Sequence, residues 1–285
     1  MDHNLYRCAV CLHGEIRPWF RTAFGRIGRC SACGQVLRAD TPDRQGHVVL
    51  HQSSELHKSA YAERSRLGCD DLSFYSRFLD LCASADSGGA VLDVGSGGGA
   101  FLALTAAHGL QAVGIEPVAE LRAEAQQQVS ASRITSQPVE EAEFEPGSFV
   151  GVALWDVIEH LVDPRGVLER VREFLRPNGY LGIATLNHRC LLYGAYHLMR
   201  FTAPFLARRF GPLLYNPFHT YYFTMESLAR LVRNTGFQIV EHENFEFPLK
   251  HLSVGPTVKA GVALIYALQA ATKLRGEQYL FARKR

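Results

Sequence analysis

The stretch VLDVGSGGGAFL, Val91 to Leu102, with GIEP following at Gly114 to Pro117, decides the fold. An apolar run, Val91–Val94, carries a carboxylate, Asp93, near its end. Gly95, Gly97, Gly98 and Gly99 follow, and a helix is expected to open at Ala100. A second short strand, expected at Ala112–Ile115, is tipped by Glu116. Glycines let a backbone approach a ligand closely. A carboxylate at the tip of the second strand can accept from both hydroxyls of a ribose. The pattern is that of an open α/β sheet holding the nucleoside end of a cofactor.

Two cofactors compete for it. Gly95-x-Gly97-x-x-Ala100 satisfies the dinucleotide fingerprint, with an acid about 20 residues on. Asp93 argues the other way, because a pyrophosphate needs a helix N-terminus clear of carboxylates. S-adenosylmethionine carries an ammonium and a sulfonium, and both tolerate a neighbouring carboxylate.

Outward from this stretch, strand and helix patterns alternate. Strands are expected at Val91–Val94, Ala112–Ile115, Ile134–Thr135, Val150–Val157 and Tyr180–Leu186. Helices are expected at Ala100–His108, Val118–Ser130 and Pro164–Leu175. This alternation implies a parallel sheet wound on both faces. The tail reads as two further strands, Gln238–Phe245 and Glu277–Arg283, around a helix at Val258–Leu274. Upstream, Asp40 to Gln52 reads as a polar linker, and Ser54 to Ala85 as helical.

DVIEHLVDP, Asp156 to Pro164, and VLERVREFLRPNGYLGIATLN, Val167 to Asn187, resemble a fourth strand, loop, helix and fifth strand of class I S-adenosylmethionine-dependent methyltransferases. The resemblance runs from Ser87 to the C-terminus. It is nearest the small-molecule subgroup that includes the ubiquinone-biosynthesis O-methyltransferases. NPFHTYYFTMESLARLVRNTGF, Asn216 to Phe237, shares it. It implies a Rossmann-like, mostly parallel seven-stranded sheet with an antiparallel last strand, which YLFARKR suits. It implies that Asp93, Gly95, Gly97, Gly99, Glu116 and Asp156 bind the cofactor, with Ser136 to Glu141 beside the adenine. Asp156-x-x-Glu159-His160 matches a segment linked in some members to a divalent metal, or it is a hydrogen-bonded pair that shapes the loop. One departure is Val150, where the family usually has an aspartate after the phenylalanine.

Cys8-x-x-Cys11 and Cys30-x-x-Cys33 are spaced as the two knuckles of a zinc ribbon. Four thiolates leave no open position for chemistry, so the expected Zn2+ is structural. A ribbon of roughly 40 residues lacks a core of its own, and metal supplies the missing stability. The domain reading is therefore a ribbon over 1–40, linker and N-terminal helices over 41–86, and a methyltransferase domain over 87–285 with a cap insertion at 188–223.

The bulk numbers exclude several classes. The chain of 285 residues has a net charge of +2 and 47% hydrophobic residues, ordinary for a globular protein. The basic run Arg283-Lys284-Arg285 is short, so no nucleic-acid partner is expected. The longest apolar stretch, Val262 to Ala271, falls well below the roughly 20 residues that span a bilayer. The polar N-terminus does not read as a signal peptide, and seven cysteines without one point to a reducing, cytoplasmic setting.

Methyl transfer is a displacement at a carbon already activated by sulfur, so the enzyme aligns the reactants and removes a proton where required. His160 and His219 are the candidate bases, since imidazole titrates near neutrality. The insertion Leu191 to Tyr222 is rich in tyrosine and phenylalanine, interleaved with Arg200, Arg208 and Arg209. Leu191, Ala195, Leu198, Met199 and Thr202 share a helical face that Pro204 ends. The insertion reads as a lid over the acceptor, as a peripheral membrane contact, or as packed core. The expected activity is O-methylation of a lipid-like or sugar-derived small molecule. Its rivals are sugar C-methylation, ribosomal RNA methylation, nicotinamide-dependent dehydrogenation, and a scaffold without turnover. A protein partner at the ribbon is a further expectation.

Overall fold

A computed structural model describes residues 8–40, 73–130, 132–246 and 256–285. The expected linker from residue 41, and the expected helix before residue 73, lie outside these residues. The N-terminal strands are β1 (Ile16–Thr22), β2 (Gly25–Cys30) and β3 (Val36–Arg38). Then follow α1 (Ser73–Ala85), β4 (Ala90–Val94), α2 (Ala100–Ala107), β5 (Gln111–Ile115), α3 (Ala119–Gln128), β6 (Arg133–Thr135) and β7 (Phe149–Trp155). A short 3-10 turn at Ile158–His160 leads to α4 (Pro164–Phe174) and β8 (Leu175–Leu186). The cap supplies α5 (Leu191–Thr202), α6 (Pro204–Leu214) and β9 (Tyr221–Tyr222). The chain closes with α7 (Met225–Asn234), β10 (Phe237–Phe245), α8 (Pro256–Thr272) and β11 (Glu277–Lys284).

Seven strands form the main sheet in the order β10-β11-β8-β7-β4-β5-β6. The pairs β8–β7, β7–β4, β4–β5 and β5–β6 are parallel. The last strand, β11, runs antiparallel to both β8 and β10, as expected for this fold. Side chains alternate faces along each strand. Val152 and Leu154 of β7 join Leu92, Ile183 and Leu280 on the face covered by α4 and α7. Ala153 and Trp155 point to the other face, against Phe74, Phe78 and Cys82 of α1. Phe78 is fully buried there, a contribution of about 2–3 kcal/mol. Val150, the departure from the family pattern, is also buried on that face.

Local chemistry sets the helix starts. Asp163 caps α4 by accepting from the Gly166 N–H, and Pro164 stands in its first turn. Val167, Leu168, Val171 and Phe174 then fall on one buried stripe. Thr224 and Ser227 make a reciprocal capping box at the start of α7, whose Leu228, Leu231 and Val232 face the sheet.

A second, four-stranded sheet has the order β1-β2-β3-β9. Its first three strands are the ribbon, and its fourth comes from the cap, with Val36 opposite Tyr222 and Leu37 opposite Tyr221. Ribbon and cap also share one core, in which Phe20, Ile27 and Val36 pack with Tyr193, Tyr196, Tyr215 and Tyr222. On its other side the ribbon is tied to the helices that cover the main sheet. Arg165 of α4 donates to the Ala9 carbonyl at 2.8 Å, and the Asn234 amide donates to that of Val10 at 3.2 Å.

The helix expected after Leu191 forms, and it ends before Pro204. The face it buries is a different one. Tyr193 and Tyr196 are buried, while Leu198 is 66% exposed. The tyrosines win because Tyr215 offers rings at 5.3 and 5.4 Å, and an aromatic pair buries more area than a leucine would. Pro204 also opens a second helix, α6, which the sequence pattern did not announce.

Candidate functional site

The residues expected to hold a cofactor gather at the carboxyl edge of the parallel strands. Gly95, Gly97 and Gly99 all have left-handed backbones, with φ of 74°, 52° and 91°. At Gly99 a Cβ would also stand 3.0 Å from the α-carbon of Ala125. The turn is tied to β5, because the Gly95 and Ser96 N–H groups both donate to the Ile115 carbonyl.

Glu116 is buried and accepts from the Gly97 and Val118 N–H groups, each at 2.8 Å. It therefore bridges the glycine turn and the start of α3. Asp93 is buried as well. Burial first, and the charge of Glu116 second, push its carboxyl up to about 8. Burial also raises Glu116, against the two N–H groups that favour its charged form. Two acids held out of water side by side at the strand ends make an edge suited to positive charge.

Asp156, directly after β7, has φ of 55°, an uncommon conformation for a residue with a side chain. Its N–H donates to the Ala184 carbonyl at 2.9 Å, which fixes the strand end in this shape. Backbone outliers of this kind gather at functional sites. Glu140 and Glu141 lie on a turn after Pro138, the first half-buried and the second exposed.

The two histidines expected as bases come together from distant segments. The rings of His160 and His219 are 4.8 Å apart. With the buried Glu159 they place one ligand atom each within 4.8 Å of the others. His219, rather than Asp156, is the third member of this group. His160 Nδ1 lies 3.0 Å from the Phe218 carbonyl. A carbonyl only accepts, so Nδ1 is the donor, and in the neutral ring Nε2 is then the nitrogen with the lone pair. The loop below is pinned by the Thr220 N–H, which donates to the Glu159 carbonyl at 2.8 Å.

Arg38 is a site residue that sequence reasoning missed. It is buried, and its Nη2 donates to the Asn216 carbonyl at 2.6 Å. A ribbon residue thus holds the cap loop that carries His219. No local signal marks it, because the contact spans 178 residues. Also missed is a buried polar relay in the cap, in which the Tyr215 hydroxyl sits 2.8 Å from His188 Nε2 and 3.1 Å from His197 Nε2. Burial holds His188 down at about 3 and His197 at about 4, so both are neutral at pH 7.

The four ribbon cysteines converge. Cys8 and Cys33 place their sulfurs 3.6 Å apart, as do Cys11 and Cys30. Tetrahedral ligands on zinc, at the usual metal–sulfur length, have sulfurs ~3.8 Å apart. The two knuckles match each other. The residue after each second cysteine, Leu12 or Gly34, is left-handed, with φ of 64° and 75°. In each, its N–H donates back to the carbonyl of the first cysteine, Cys8 or Cys30. Gly14 lies so close to the Cys30 sulfur that a Cβ could not fit. The donor set and its spacing fit a zinc ion.

Residues 62–242 match the methyltransferase domain family, which leaves the ribbon outside the match. A ubiquinone biosynthesis O-methyltransferase of Acinetobacter baylyi is 28% identical over 197 residues, 64% of this chain and 77% of that protein. Its counterpart from Xanthomonas euvesicatoria is 32% identical over 182 residues, 59% of this chain and 68% of that protein. Among solved structures, phosphoethanolamine N-methyltransferase 2 of Haemonchus contortus, in complex with S-adenosyl-L-methionine, aligns with a TM-score of 0.54 at 18% identity. That alignment covers 87% of this chain and 61% of the other. A geranyl diphosphate methyltransferase aligns with a TM-score of 0.55 at 12% identity, over 75% and 77% of the two chains. Strand order, inverted last strand and family match agree: the chain belongs to the methyltransferase domain family and is an S-adenosylmethionine-dependent methyltransferase.

Proposed function

We propose that this enzyme methylates a hydroxyl oxygen of a small, lipid-like or sugar-derived acceptor. The observation that carries the reading is the presence of an acid-lined cofactor edge, Asp93 and Glu116, together with a histidine pair in which His160 follows β7 and His219 comes from the cap. Gly95, Gly97 and Gly99 cradle the methionine and ribose, and Glu116 takes the ribose hydroxyls. Asp93 faces the cationic end, and the Asp156 backbone borders it. The acceptor hydroxyl gives its proton to Nε2 of His160. Bound at this edge, S-adenosylmethionine would supply its activated methyl group to the acceptor oxygen, with the thioether as leaving group. His219 supports the same proton transfer from the cap side.

The named relatives are O-methyltransferases, which favours oxygen over carbon as the acceptor atom. Glu159, His160 and His219 are also a donor set suited to a divalent cation. Bound there, such an ion would occupy the Nε2 that the base role uses, and would lower the pKa of an acceptor hydroxyl in its place. In the ribbon, Cys8, Cys11, Cys30 and Cys33 hold a structural Zn2+. The exposed cap helices keep open a peripheral membrane contact.

Isothermal titration with S-adenosylhomocysteine, with NADH as control, tests the cofactor. Micromolar binding of the first that Glu116→Ala abolishes supports the reading, and binding of NADH alone overturns it. Transfer of labelled methyl to a panel of hydroxylated lipids and sugars then tests the acceptor class.

A further inference from the structure

A pocket of about 330 Å³ lies between the β1–β2 turn of the ribbon and the α5–α6 hairpin of the cap. Three arginines line it, Arg21 from the ribbon and Arg200 and Arg208 from the two cap helices, beside Thr22, Tyr196 and Pro204. Nothing in the methyl-transfer reading uses it.

Its charge is one-sided. The chain has no aspartate or glutamate from Ile16 to Ala39, and none from His188 to Met225. Those two segments supply the whole lining. Among the described residues, Arg21, Arg200 and Arg208 have no ion pair. Arg200 is held in place instead by stacking over the Phe20 ring, 4.0 Å from its centroid. A guanidinium fixed this way presents its N–H groups without first losing rotamer freedom. Pro204 stands in the first turn of α6, an 11-residue helix whose N-cap, Ala203, gives no side-chain cap. The positive end of that helix dipole adds to the arginines.

Three guanidinia around one space suit the oxygens of a phosphoryl group. The volume exceeds what a bare phosphate fills and leaves room for an organic part. The surroundings specify that part. Ala23, Ala207, Gly211 and Pro212 complete the lining, and Phe201 and Phe205 beside it are 81% and 72% exposed. We propose that this pocket binds a phosphate ester, its phosphoryl group on Arg21, Arg200 and Arg208 and its organic part along the apolar surface of the cap helices. The ester comes either from a soluble metabolite or from a phospholipid headgroup, and the chemistry is the same for both.

The test uses the full chain with its zinc. Two probes are titrated, soluble sn-glycerol 3-phosphate and vesicles of phosphatidylglycerol, with phosphatidylcholine vesicles as control. The variant is Arg21→Ser with Arg208→Glu, two exposed positions outside the cofactor edge. Binding of the soluble probe, weakened at least about tenfold in the variant, supports a metabolite site. Binding of phosphatidylglycerol vesicles alone, weakened likewise, supports a headgroup site. Binding of neither probe above the control overturns the proposal, as does equal binding by the variant. Titration of the variant with S-adenosylhomocysteine should match wild type, which shows that the fold is intact and keeps this test apart from the methyl-transfer reading.

Discussion

Arg38 and Asn216 are joined by a hydrogen bond of 2.6 Å from the ribbon guanidinium to the cap carbonyl. The same guanidinium donates through Nη1 to the Phe24 carbonyl, also at 2.6 Å. One buried side chain thus fixes a ribbon turn and the loop of His219 together. Arg38→Ala leaves both carbonyls without that donor, and stability should fall by about 2–4 kcal/mol. Urea unfolding measures the fall. Affinity for S-adenosylhomocysteine should stay within about twofold, because the carbonyls that Arg38 holds, those of Phe24, Asn216 and His219, belong to the ribbon and the cap, while turnover drops at least about tenfold. Equal losses in both would show that the ribbon supports the whole fold and not the cap alone.

Zinc removal should act the same way, more severely. The ribbon sheet includes β9, so a ribbon that unfolds without metal frees the loop of His219. Mass spectrometry of the native protein should find stoichiometric zinc. Cys11→Ser should lose it, together with methyl transfer, while S-adenosylhomocysteine still binds. Full turnover in zinc-free protein would rule out this coupling.

Asp93 gives a pH prediction with a definite sign. Its carboxyl moves from an ordinary 3.8 to about 8 on folding, through burial and then the charge of Glu116. A raised acid stabilises the fold in its protonated form. That stability is full below about pH 4 and is lost as the pH rises through about 8. Thermal melts of cofactor-free protein should decline across this window, and Asp93→Asn should flatten the decline. The ammonium of S-adenosylhomocysteine pairs with the ionised form, so its affinity should rise from pH 6 to 8, by at most about tenfold per unit. A flat affinity profile in wild type would show that Asp93 does not meet the ligand's charge.

His160→Gln keeps a polar side chain of similar size but removes the basic nitrogen. Turnover should fall by roughly 10²–10⁴, with cofactor affinity unchanged. His219→Gln should fall less, because His219 supports the proton transfer from the cap side and is not the acceptor of the proton. If both variants keep wild-type rates, the acceptor ionises without either histidine.

Much of the main sheet was legible because its signals are local. Val91–Val94 with its glycine turn, the acid-tipped strand at Glu116 and the period of α4 each lie within about a dozen residues, where propensity and patterning act. The cysteine knuckles were legible for the same reason. What stayed hidden depends on contacts across the chain. Tyr221–Tyr222 is too short a strand to show a period, and only its pairing with β3 defines it. Which face of α5 is buried was not legible, because a helix buries whatever its partners can cover, and its partners are Phe20 and Tyr215. Arg21, Arg200 and Arg208 sit on three different elements, so only the fold collects them.

The fourth strand of the ribbon sheet has a consequence for synthesis. Gln35 donates to the Tyr222 carbonyl across a separation of 187 residues. The ribbon leaves the ribosome before the cap, and the outer edge of β3 lacks its β9 partner until the cap has been made. An unpaired strand edge recruits other chains, and contacts this distant form slowly. Metal captured early by the four cysteines would keep the nascent ribbon folded around its knuckles during that interval. Cells starved of zinc during translation should therefore accumulate aggregated chains, even where the finished protein tolerates a chelator.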